Sequence, residues 1–296
     1  MTWLIVGGTG QLGNALSTAL KERGLRFNSY GSKELDIRSG VKCFEVISRL
    51  LPSVVINCAA WTDVDAAESD VAGAYAINSL GASNIAEAAM GIKAVFIHIS
   101  TDYVFSGSSD SPWQENAGRS PVSVYGASKA AGEESVLSLY AERSYIFRTA
   151  WLYSRWGRNF AKTMARLAIS PQEQVRVVND QVGQPTSALD LANQIIDTVI
   201  TQLPFGIYHG TNSGHASWFE FASSIFELTG TSSSRVVAVN SREFVRPAPR
   251  PAYSVLGHLG WNVAGATGKT VPSMRHWKIA LEDEFPALIA AVRVGE

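Results

Sequence analysis

A phenol and an ammonium group lie four residues apart in the stretch VYGASKAAGE, at Tyr125 and Lys129. Side chains at this spacing share one face of a helix. An ammonium stabilises a phenolate, so we expect Lys129 to lower the pKa of Tyr125 below its ordinary value of about 10. A phenol tuned in this way can protonate the oxygen of a ketone while hydride reaches the carbon. Two surface side chains on a helix fit the same pattern, so the pair needs support from elsewhere in the chain.

A hydroxyl side chain, Thr101, follows the apolar run of residues 94–100 and precedes Asp102. The run predicts a buried strand, and ligands of open α/β sheets bind beyond the carboxyl ends of the strands. We therefore expect Thr101 to reach the same cleft as Tyr125 and to hold a substrate carbonyl oxygen beside the phenol. Thr101, Tyr125 and Lys129 are the predicted catalytic residues.

Three glycines, Gly7, Gly10 and Gly13, lie between the first apolar run, residues 3–7, and a predicted helix. A dinucleotide needs glycine where the turn is tight, where the backbone approaches the pyrophosphate and where the helix packs on the strand. The helix N-terminus adds free N–H groups for the phosphates. The spacing predicts a dinucleotide site, although a purely structural turn can carry the same glycines.

The end of the second predicted strand bears on the choice of cofactor. Residues 30–33 read Tyr-Gly-Ser-Lys and include no acid that would bind a ribose 2′-hydroxyl and repel a 2′-phosphate. Ser32 and Lys33 can accept that phosphate instead. The stretch favours NADPH, with NADH as the alternative cofactor and a merely solvated Lys33 as the alternative interpretation.

Short apolar runs alternate with longer amphipathic stretches in the first half of the chain, which is typical of a parallel sheet covered by helices on both faces. The predicted strands are residues 3–7, 27–30, 53–58, 94–100 and 144–148. The predicted helices are residues 11–23, 40–51, 69–90 with Ser69 as N-cap, 122–141, 157–168, 187–202, 217–229 and 272–283. We predict an α/β fold, a Rossmann-like doubly wound parallel sheet with a smaller C-terminal α/β substrate lobe.

Loops and proline-containing segments become more frequent after residue 150, as in QVGQPTS at 181–187 and RPAPRP at 246–251. Such segments line a surface or a cleft more often than they form central strands. We predict an NADP(H)-binding domain over residues 1–150. Residues 151–296 are predicted to form mainly a substrate-binding lobe, with segments that interleave with the first domain.

The composition indicates a folded protein with small-molecule ligands. Of 296 residues, 46% are hydrophobic and 17% are charged, and the net charge of −1 includes no run of like charges. This pattern argues against nucleic acid and anionic membranes as partners. No stretch approaches the ~18 apolar residues of a membrane span, and the N-terminus lacks a basic segment before its apolar run. Two cysteines, Cys43 and Cys58, cannot build a disulfide framework, so we expect a cytoplasmic protein.

Several motifs together resemble the extended short-chain dehydrogenase/reductase family. They are the glycine motif, NCAA at 57–60, Asn78, STDYVF at 100–105 and Tyr125-x-x-x-Lys129. The resemblance implies that Tyr125 is the proton donor and that Lys129 is its partner and also bonds the nicotinamide ribose. The cofactor contacts expected from the glycine motif and from the resemblance are Gly7, Gly10, Gln11, Leu12, Gly13, Asp36, Ile37, Ala59, Ala60 and Trp61. The implied substrate contacts are Thr101, Asp102 and Trp151, although Trp151 is equally explained as a packing residue.

Further motifs resemble a branch of this family that reduces nucleotide-linked 4-keto-6-deoxy sugars. They include AAWTDVDAAES at 59–69, VVNDQVGQPTS at 177–187 and FVRPAPRPAYSVL at 244–256. The resemblance implies reduction of the C4 ketone of dTDP-4-dehydro-L-rhamnose by NADPH, with another dTDP-linked or otherwise nucleotide-linked 4-keto-6-deoxy sugar as the alternative. Arg246 and Arg250 can bind the diphosphate, although ordinary surface arginines explain them nearly as well.

Two other functions share parts of this pattern. Sugar-nucleotide dehydratases of the family follow the threonine with Asp and Glu, whereas Thr101 is followed here by Asp102 and Tyr103, so the second carboxylate is missing. A non-catalytic NADP(H)-binding regulatory subunit, such as that of methionine adenosyltransferase, does not need the catalytic trio. The residues therefore favour a simple reductase over a dehydratase, an epimerase or a regulatory subunit.

Some members of the family hold Mg²⁺ between subunits through glutamates, one of them near the start of the first helix. This chain has Asn14 and Ala15 there, and its five histidines show no ligand spacing. We therefore expect no metal, and a monomer or a homodimer without a bridging ion.

Overall fold

The structure is a computed structural model that describes residues 1–171 and 174–295. The strands in this part of the chain are β1 (Thr2–Val6), β2 (Arg26–Tyr30), β3 (Val54–Asn57), β4 (Val95–Thr101), β5 (Ser144–Thr149), β6 (Leu152–Tyr153), β7 (Val175–Val178), β8 (Val182–Gly183), β9 (Thr186–Ser187), β10 (Gly206–His209), β11 (Ala216–Ser217) and β12 (Val236–Val239). The α-helices are α1 (Gln11–Glu22), α2 (Gly40–Leu50), α3 (Val64–Ser69), α4 (Val71–Tyr75), α5 (Ala82–Gly91), α6 (Val124–Tyr140), α7 (Phe160–Ile169), α8 (Ala188–Thr201), α9 (Trp218–Leu228) and α10 (Trp277–Arg293).

Six parallel strands form the central sheet in the order β10-β5-β4-β3-β1-β2. The chain runs outward from β1 to β2 and then returns to β3 on the other side of β1, which makes the sheet doubly wound. The predicted Rossmann-like sheet is therefore present, with β10 from the second half of the chain as an edge strand. The order reverses between β1 and β3, and ligands of such sheets bind beyond the carboxyl ends of the strands at this point.

Each face of the sheet is covered by its own hydrophobic core. Successive side chains of a strand point to opposite faces, so Ile5 of β1 packs beneath α1 and α8, whereas Leu4 and Val6 pack beneath α2, α5 and α6. The inner strands β1, β3, β4 and β5 are almost fully buried on both faces, which explains why they read as continuous apolar runs in the sequence.

Helix α6, which carries Tyr125 and Lys129, begins at a polar cap and packs closely on its neighbours. The Ser123 hydroxyl accepts the Gly126 N–H at 3.1 Å, which satisfies one free donor of the first turn. A Cβ at Gly126 would lie 2.2 Å from the carbonyl oxygen of Tyr103, so only glycine permits this approach. The helix is thereby fixed beside the segment that follows β4.

The second half of the chain builds a smaller lobe around its own core. Strands β7 and β12 pair in parallel, and α7, α9 and α10 pack together with them around Phe221, Trp277 and Leu288. Helix α8 and β10 instead return to the central sheet. The assignment of NADP(H) to residues 1–150 and of the substrate mainly to residues 151–296 stays a prediction.

Two helix predictions are wrong. The single helix predicted over 69–90 is divided into α3, α4, a π-helical segment over Ala76–Gly81 and α5. Ser69 ends α3, and Asp70 acts as the N-cap of α4 by accepting the Gly73 N–H at 2.9 Å. An aspartate that bonds backbone in this way competes with helix continuation, and apolar periodicity does not reveal it. The helix predicted over 272–283 begins only at Trp277, after the His276 cap, and continues to Arg293.

Among the described residues, no helix combines the length and the apolar character that crossing a membrane would require.

Candidate active site

A cleft of about 620 Å³ opens beyond the carboxyl ends of the central strands, at the position where the strand order reverses. Its lining brings together these predicted site residues: Gly10, Gln11, Leu12, Gly13, Ala60, Thr101, Asp102, Tyr125, Lys129 and Trp151. The predicted residues outside the lining are Gly7, Asp36, Ile37, Ala59 and Trp61. Other residues that line the cleft were not predicted from the sequence, among them Tyr103 and Trp218.

The glycine loop contains two positions where only glycine fits. Gly7 has a φ of +80°, and a Cβ there would lie 2.5 Å from the backbone nitrogen of Ala59. A Cβ at Gly13 would lie 2.5 Å from the Gly7 carbonyl oxygen, so α1 approaches the loop as closely as backbone allows. Gly10 is the N-cap of α1 and provides no side chain to cap the first turn. The loop therefore leaves the positive end of α1 accessible from the cleft.

The Thr101 hydroxyl connects Asp102 with the backbone beside Tyr125. It donates to Asp102 Oδ1 at 2.9 Å and accepts the Tyr103 N–H at 3.2 Å. The Tyr103 ring packs edge-on against Tyr125, with centroids 5.4 Å apart. Burial raises the pKa of Tyr125 to about 12, and hydrogen bonding with the Thr101 hydroxyl offsets part of that rise. The phenol therefore retains its proton at neutral pH.

The expected lowering of the Tyr125 pKa by Lys129 is not found in this structure, where burial raises that pKa and Lys129 is not among the groups that shift it. The lysine side chain is buried, donates to the Ile99 carbonyl oxygen and places Nζ 3.4 Å from His98 Nε2. Burial lowers the pKa of Lys129 to about 8, and the Glu133 carboxylate and the Cys58 sulfur offset part of the fall. The helical spacing predicted a shared face correctly, but not that strand β4 would supply partners for the ammonium.

Asp102 lies on the floor of the cleft and is only 2% exposed. Its Oδ2 has no hydrogen-bond partner of good geometry within the described part of the chain. Burial raises the pKa of Asp102 to about 6, and the hydroxyls of Ser254 and Thr101 offset part of the rise. An incompletely satisfied acid beside Thr101 is available to a polar ligand.

Trp151 is held in a backbone conformation that is rare for a large side chain, with a φ of +45°. Its ring stacks on Trp218, with centroids 3.5 Å apart and planes 8° from parallel. A Cβ at Gly183 would lie 2.5 Å from the Trp151 ring, so this position needs glycine. Trp218 was missed because the first residue of a helix shows no chemical motif. Only the fold brings it to the cleft.

A second cavity, of about 680 Å³, adjoins the cleft and shares Tyr103 and Trp218 with it. Both predicted diphosphate arginines line this cavity. Arg250 pairs with Asp65 at 2.9 Å and Arg246 with the same carboxylate at 3.6 Å, while Asp65 also accepts the Ala248 N–H at 3.2 Å. The arginines are therefore ordered by an acid from the first half of the chain, which the sequence did not predict.

An acidic side chain lies beside the turn that follows β2, and it was not predicted from the sequence. Glu34 accepts the Gly31 N–H at 2.9 Å, so a carboxylate lies beside the turn although residues 30–33 contain none. Asp36 is engaged by the Arg38 guanidinium, whose hydrogen bonds lower the pKa of that carboxyl to about 2. Ile37 is buried against Gly81. The adenine contacts of Asp36 and Ile37 stay predictions.

The start of α1 uses its polar side chain within the glycine loop. The Asn14 amide donates to the carbonyl oxygens of Thr9 at 3.0 Å and Gly10 at 2.9 Å.

Within residues 1–171 and 174–295, no group of three or more His, Cys, Asp or Glu side chains is arranged to hold a metal ion.

A family model described as "RmlD substrate binding domain" matches residues 1–288. The chain belongs to the RmlD substrate binding domain family. A relative in this family, the dTDP-4-dehydrorhamnose reductase of Streptomyces griseus, is 42% identical over 290 residues, which cover 97% of this chain and 93% of the relative. The dTDP-4-keto-6-deoxy-D-glucose reductase of Streptomyces niveus is 40% identical over 288 residues, or 97% of this chain and 98% of the relative.

A solved structure shows how closely the fold follows the RmlD family. The dTDP-4-dehydrorhamnose reductase of Bacillus anthracis, in complex with NADP, superposes with a TM-score of 0.90 at 38% identity and covers 96% of this chain and 98% of that one. The predictions of the reductase family, of an α/β Rossmann-like fold and of an oxidoreductase are thereby confirmed.

Proposed function

We propose that the protein is an NADPH-dependent reductase of a dTDP-linked 4-keto-6-deoxy sugar. We infer that it converts dTDP-4-dehydro-L-rhamnose to dTDP-L-rhamnose by reducing the C4 ketone. The observation that carries the proposal is that Thr101, Tyr125 and Lys129 line one cleft together with the glycine loop of α1. The names of the Streptomyces griseus and Bacillus anthracis relatives support the sugar, and the NADP complex of the latter supports the cofactor.

The roles in proton transfer follow from the environment of each side chain. Tyr125 is protonated at neutral pH because burial raises its pKa to about 12, so it can donate to the C4 oxygen as negative charge develops there. Thr101 holds that oxygen beside the phenol, and Lys129 binds the nicotinamide ribose. When bound, NADPH supplies the hydride.

The cofactor would lie across the carboxyl ends of β1, β2 and β3. The glycine loop and the N–H groups of Gln11 and Leu12 suit the pyrophosphate, because no side chain caps the start of α1 and both residues line the cleft. We assign Asp36 and Ile37 to the adenine end and the segment Ala59–Trp61 to the edge along the cofactor.

The sugar nucleotide would enter from the side of the smaller lobe. Asp102 and Trp151 line the cleft and would border the hexose. The adjoining cavity suits the nucleoside diphosphate because Arg246 and Arg250 line it and guanidinium groups bind phosphate oxygens in pairs. This placement puts the ketone near Tyr125 and the charge near the arginines.

Consumption of NADPH with a panel of 4-keto-6-deoxy sugar nucleotides tests the proposal. We expect the fastest loss of nicotinamide absorbance with dTDP-4-dehydro-L-rhamnose. A panel that varies the base and the sugar separately identifies which part is selected. No consumption with any member would contradict the reductase assignment and favour a binding subunit.

A second candidate substrate is dTDP-4-keto-6-deoxy-D-glucose. It is supported by the Streptomyces niveus relative of that name, whose identity of 40% is nearly that of the Streptomyces griseus reductase. A faster rate with this sugar in the panel would select the second candidate.

Dehydratase chemistry receives no support from the site. The residue after Asp102 is Tyr103, and its ring is packed edge-on against Tyr125. No second carboxylate follows Thr101 to carry the additional acid and base steps.

A further inference from the structure

His98 contacts Lys129 and has no part in the proposed chemistry. It is on β4, is 1% exposed, and is paired in the sheet with Asn57 of β3. Its two ring nitrogens face two different side chains. Nδ1 lies 3.4 Å from Asn57 Nδ2, and Nε2 lies 3.4 Å from Lys129 Nζ. A buried imidazole thus joins the end of β3 to the lysine of the active site.

The orientation of the Asn57 amide determines where the imidazole carries its hydrogen. Asn57 Oδ1 accepts the Ala59 N–H at 3.1 Å, so the amide nitrogen, which can only donate, is the atom that faces His98. His98 Nδ1 must therefore act as the acceptor. In a neutral imidazole the single hydrogen is then on Nε2, the nitrogen that faces Lys129.

The imidazole stays neutral at physiological pH. Burial, and then the charge of Lys129, hold the pKa of His98 well below its ordinary value. A neutral ring with an Nε2–H can donate to the lone pair of a lysine amine, but it cannot accept from a lysine ammonium. The contact therefore favours the amine form of Lys129.

We propose that His98 is a positioning residue for Lys129. Asn57 holds the His98 ring in the Nε2–H tautomer, and in that tautomer the ring opposes the ammonium form of the lysine. His98 thereby sets the pH range over which Lys129 carries its positive charge in the reaction. This last consequence rests on the proposed reductase function, whereas the tautomer and the contact do not.

Other charged or titratable groups near Lys129 act in the opposite direction. Glu133 lies one turn further along α6, and its carboxylate favours the charged lysine. Cys58 follows β3 and acts in the same direction only when its thiol is ionised, and burial raises the pKa of that thiol to about 12. Glu133 is itself held by Arg148 of β5, at 2.7 Å. His98 differs from these groups because it presents a ring hydrogen to the lysine, so its replacement isolates a single interaction.

The tautomer can be measured without any substrate. In protein labelled with ¹⁵N-histidine, long-range proton–nitrogen correlation distinguishes Nδ1–H from Nε2–H, and the signal of His98 is the one missing in His98→Gln. If His98→Gln does not fold, the other four histidines can be replaced one at a time. The signal that remains in all four of those variants is that of His98. We expect a neutral Nε2–H ring from pH 6 to 8, as its burial requires. An Nδ1–H ring, or titration near the ordinary histidine value, would overturn the proposal.

The pH profile of kcat tests the effect on Lys129. Glutamine has a similar reach, and its amide oxygen can accept from Lys129 where the Nε2–H of the ring cannot, so His98→Gln favours the ammonium. Because burial lowers the pKa of Lys129 to about 8, we expect wild-type activity to fall above that pH as the ammonium is lost. We expect the alkaline limb of His98→Gln to lie higher by about one pH unit. An unchanged limb in a folded, active variant would show that His98 has only a packing role.

His258→Gln is the matched control. His258 also bonds through Nε2, to the Thr211 hydroxyl at 2.8 Å, but it does not line the cleft. Its replacement should leave the alkaline limb of wild type in place. Failure of the whole reductase assignment would appear as absent turnover in wild type, with the ¹⁵N result still able to decide the tautomer.

Discussion

At the scale of single residues, the proposed chemistry depends on Tyr125 keeping its proton until a ketone is bound. Tyr125→Phe removes the phenolic proton and keeps the ring that packs on Tyr103. We expect kcat to fall by about 10² to 10⁴-fold, the usual contribution of a positioned general acid. The Kd for NADPH, measured by nicotinamide fluorescence, should change little.

Tyr103→Phe is the control for that experiment, because it removes a second phenol from the same cleft. Its rate should stay within a few fold of wild type. A Tyr125→Phe enzyme with the wild-type rate would exclude Tyr125 as the proton donor.

Asp102 makes a prediction about stability. Its pKa of about 6 in the folded protein lies above the value of 3.8 that an unperturbed carboxyl has, so the folded state binds the proton more tightly than the unfolded state does. The carboxyl therefore destabilises the fold progressively as pH rises from 3.8 to about 6. Asp102→Asn removes this dependence.

Urea unfolding at acidic and neutral pH measures that difference. Relative to wild type, the free energy of unfolding of Asp102→Asn should rise by about 2 to 3 kcal/mol between the two conditions. An equal difference between variant and wild type at both pH values would show that Asp102 titrates normally.

At the scale of elements, the contact between the glycine loop and α1 should reverse the usual effect of alanine in a helix. Gly→Ala within a helix commonly stabilises by about 1 kcal/mol. A Cβ at Gly13 would instead lie 2.5 Å from the Gly7 carbonyl oxygen. We expect Gly13→Ala to destabilise the protein by about 1 to 2 kcal/mol and to weaken NADPH binding about tenfold.

Gly91→Ala at the end of α5 is the matched control, because its Cβ would meet only Phe44, at an ordinary 3.5 Å. It should be neutral or stabilising in urea unfolding and should leave NADPH binding unchanged. A Gly13→Ala protein that behaves like Gly91→Ala would contradict the close approach of α1 to the loop.

The elements that the sequence predicts well are those with strong local signals. The strand β1, the glycine turn and α1 follow one another within residues 2–22, and apolar runs mark β3, β4 and β5. The break at Asp70 was missed because the interruption comes from side-chain hydrogen bonding, which apolar periodicity does not record. The contacts of Lys129 with His98 and of Arg250 with Asp65 join distant parts of the chain, so only the packed structure reveals them.

At the scale of the whole molecule, the proposed function predicts that two ligands stabilise the fold through different parts of the chain. NADP⁺ and dTDP at about 100 times their Kd should each add about 2.7 kcal/mol and raise Tm. Arg250→Ala should retain the shift with NADP⁺ and lose most of the shift with dTDP, because Arg250 lines only the second cavity.

Arg49→Ala, an exposed arginine on α2, serves as the control and should keep both shifts. Thermal unfolding with each ligand separately provides the measurement. Loss of both shifts in Arg250→Ala, or of neither, would contradict the assignment of the second cavity to the nucleoside diphosphate.

The central claim is that hydride from the nicotinamide reaches C4 of a nucleotide-linked ketosugar in this cleft. NADPH with deuterium at both hydrogens of the nicotinamide C4, incubated with the protein and dTDP-4-dehydro-L-rhamnose, tests it directly by NMR of the product. The account predicts deuterium at C4 of the hexose with wild type and at least 10²-fold slower labelling with Tyr125→Phe. An unlabelled C4, or no reduced sugar, would contradict it.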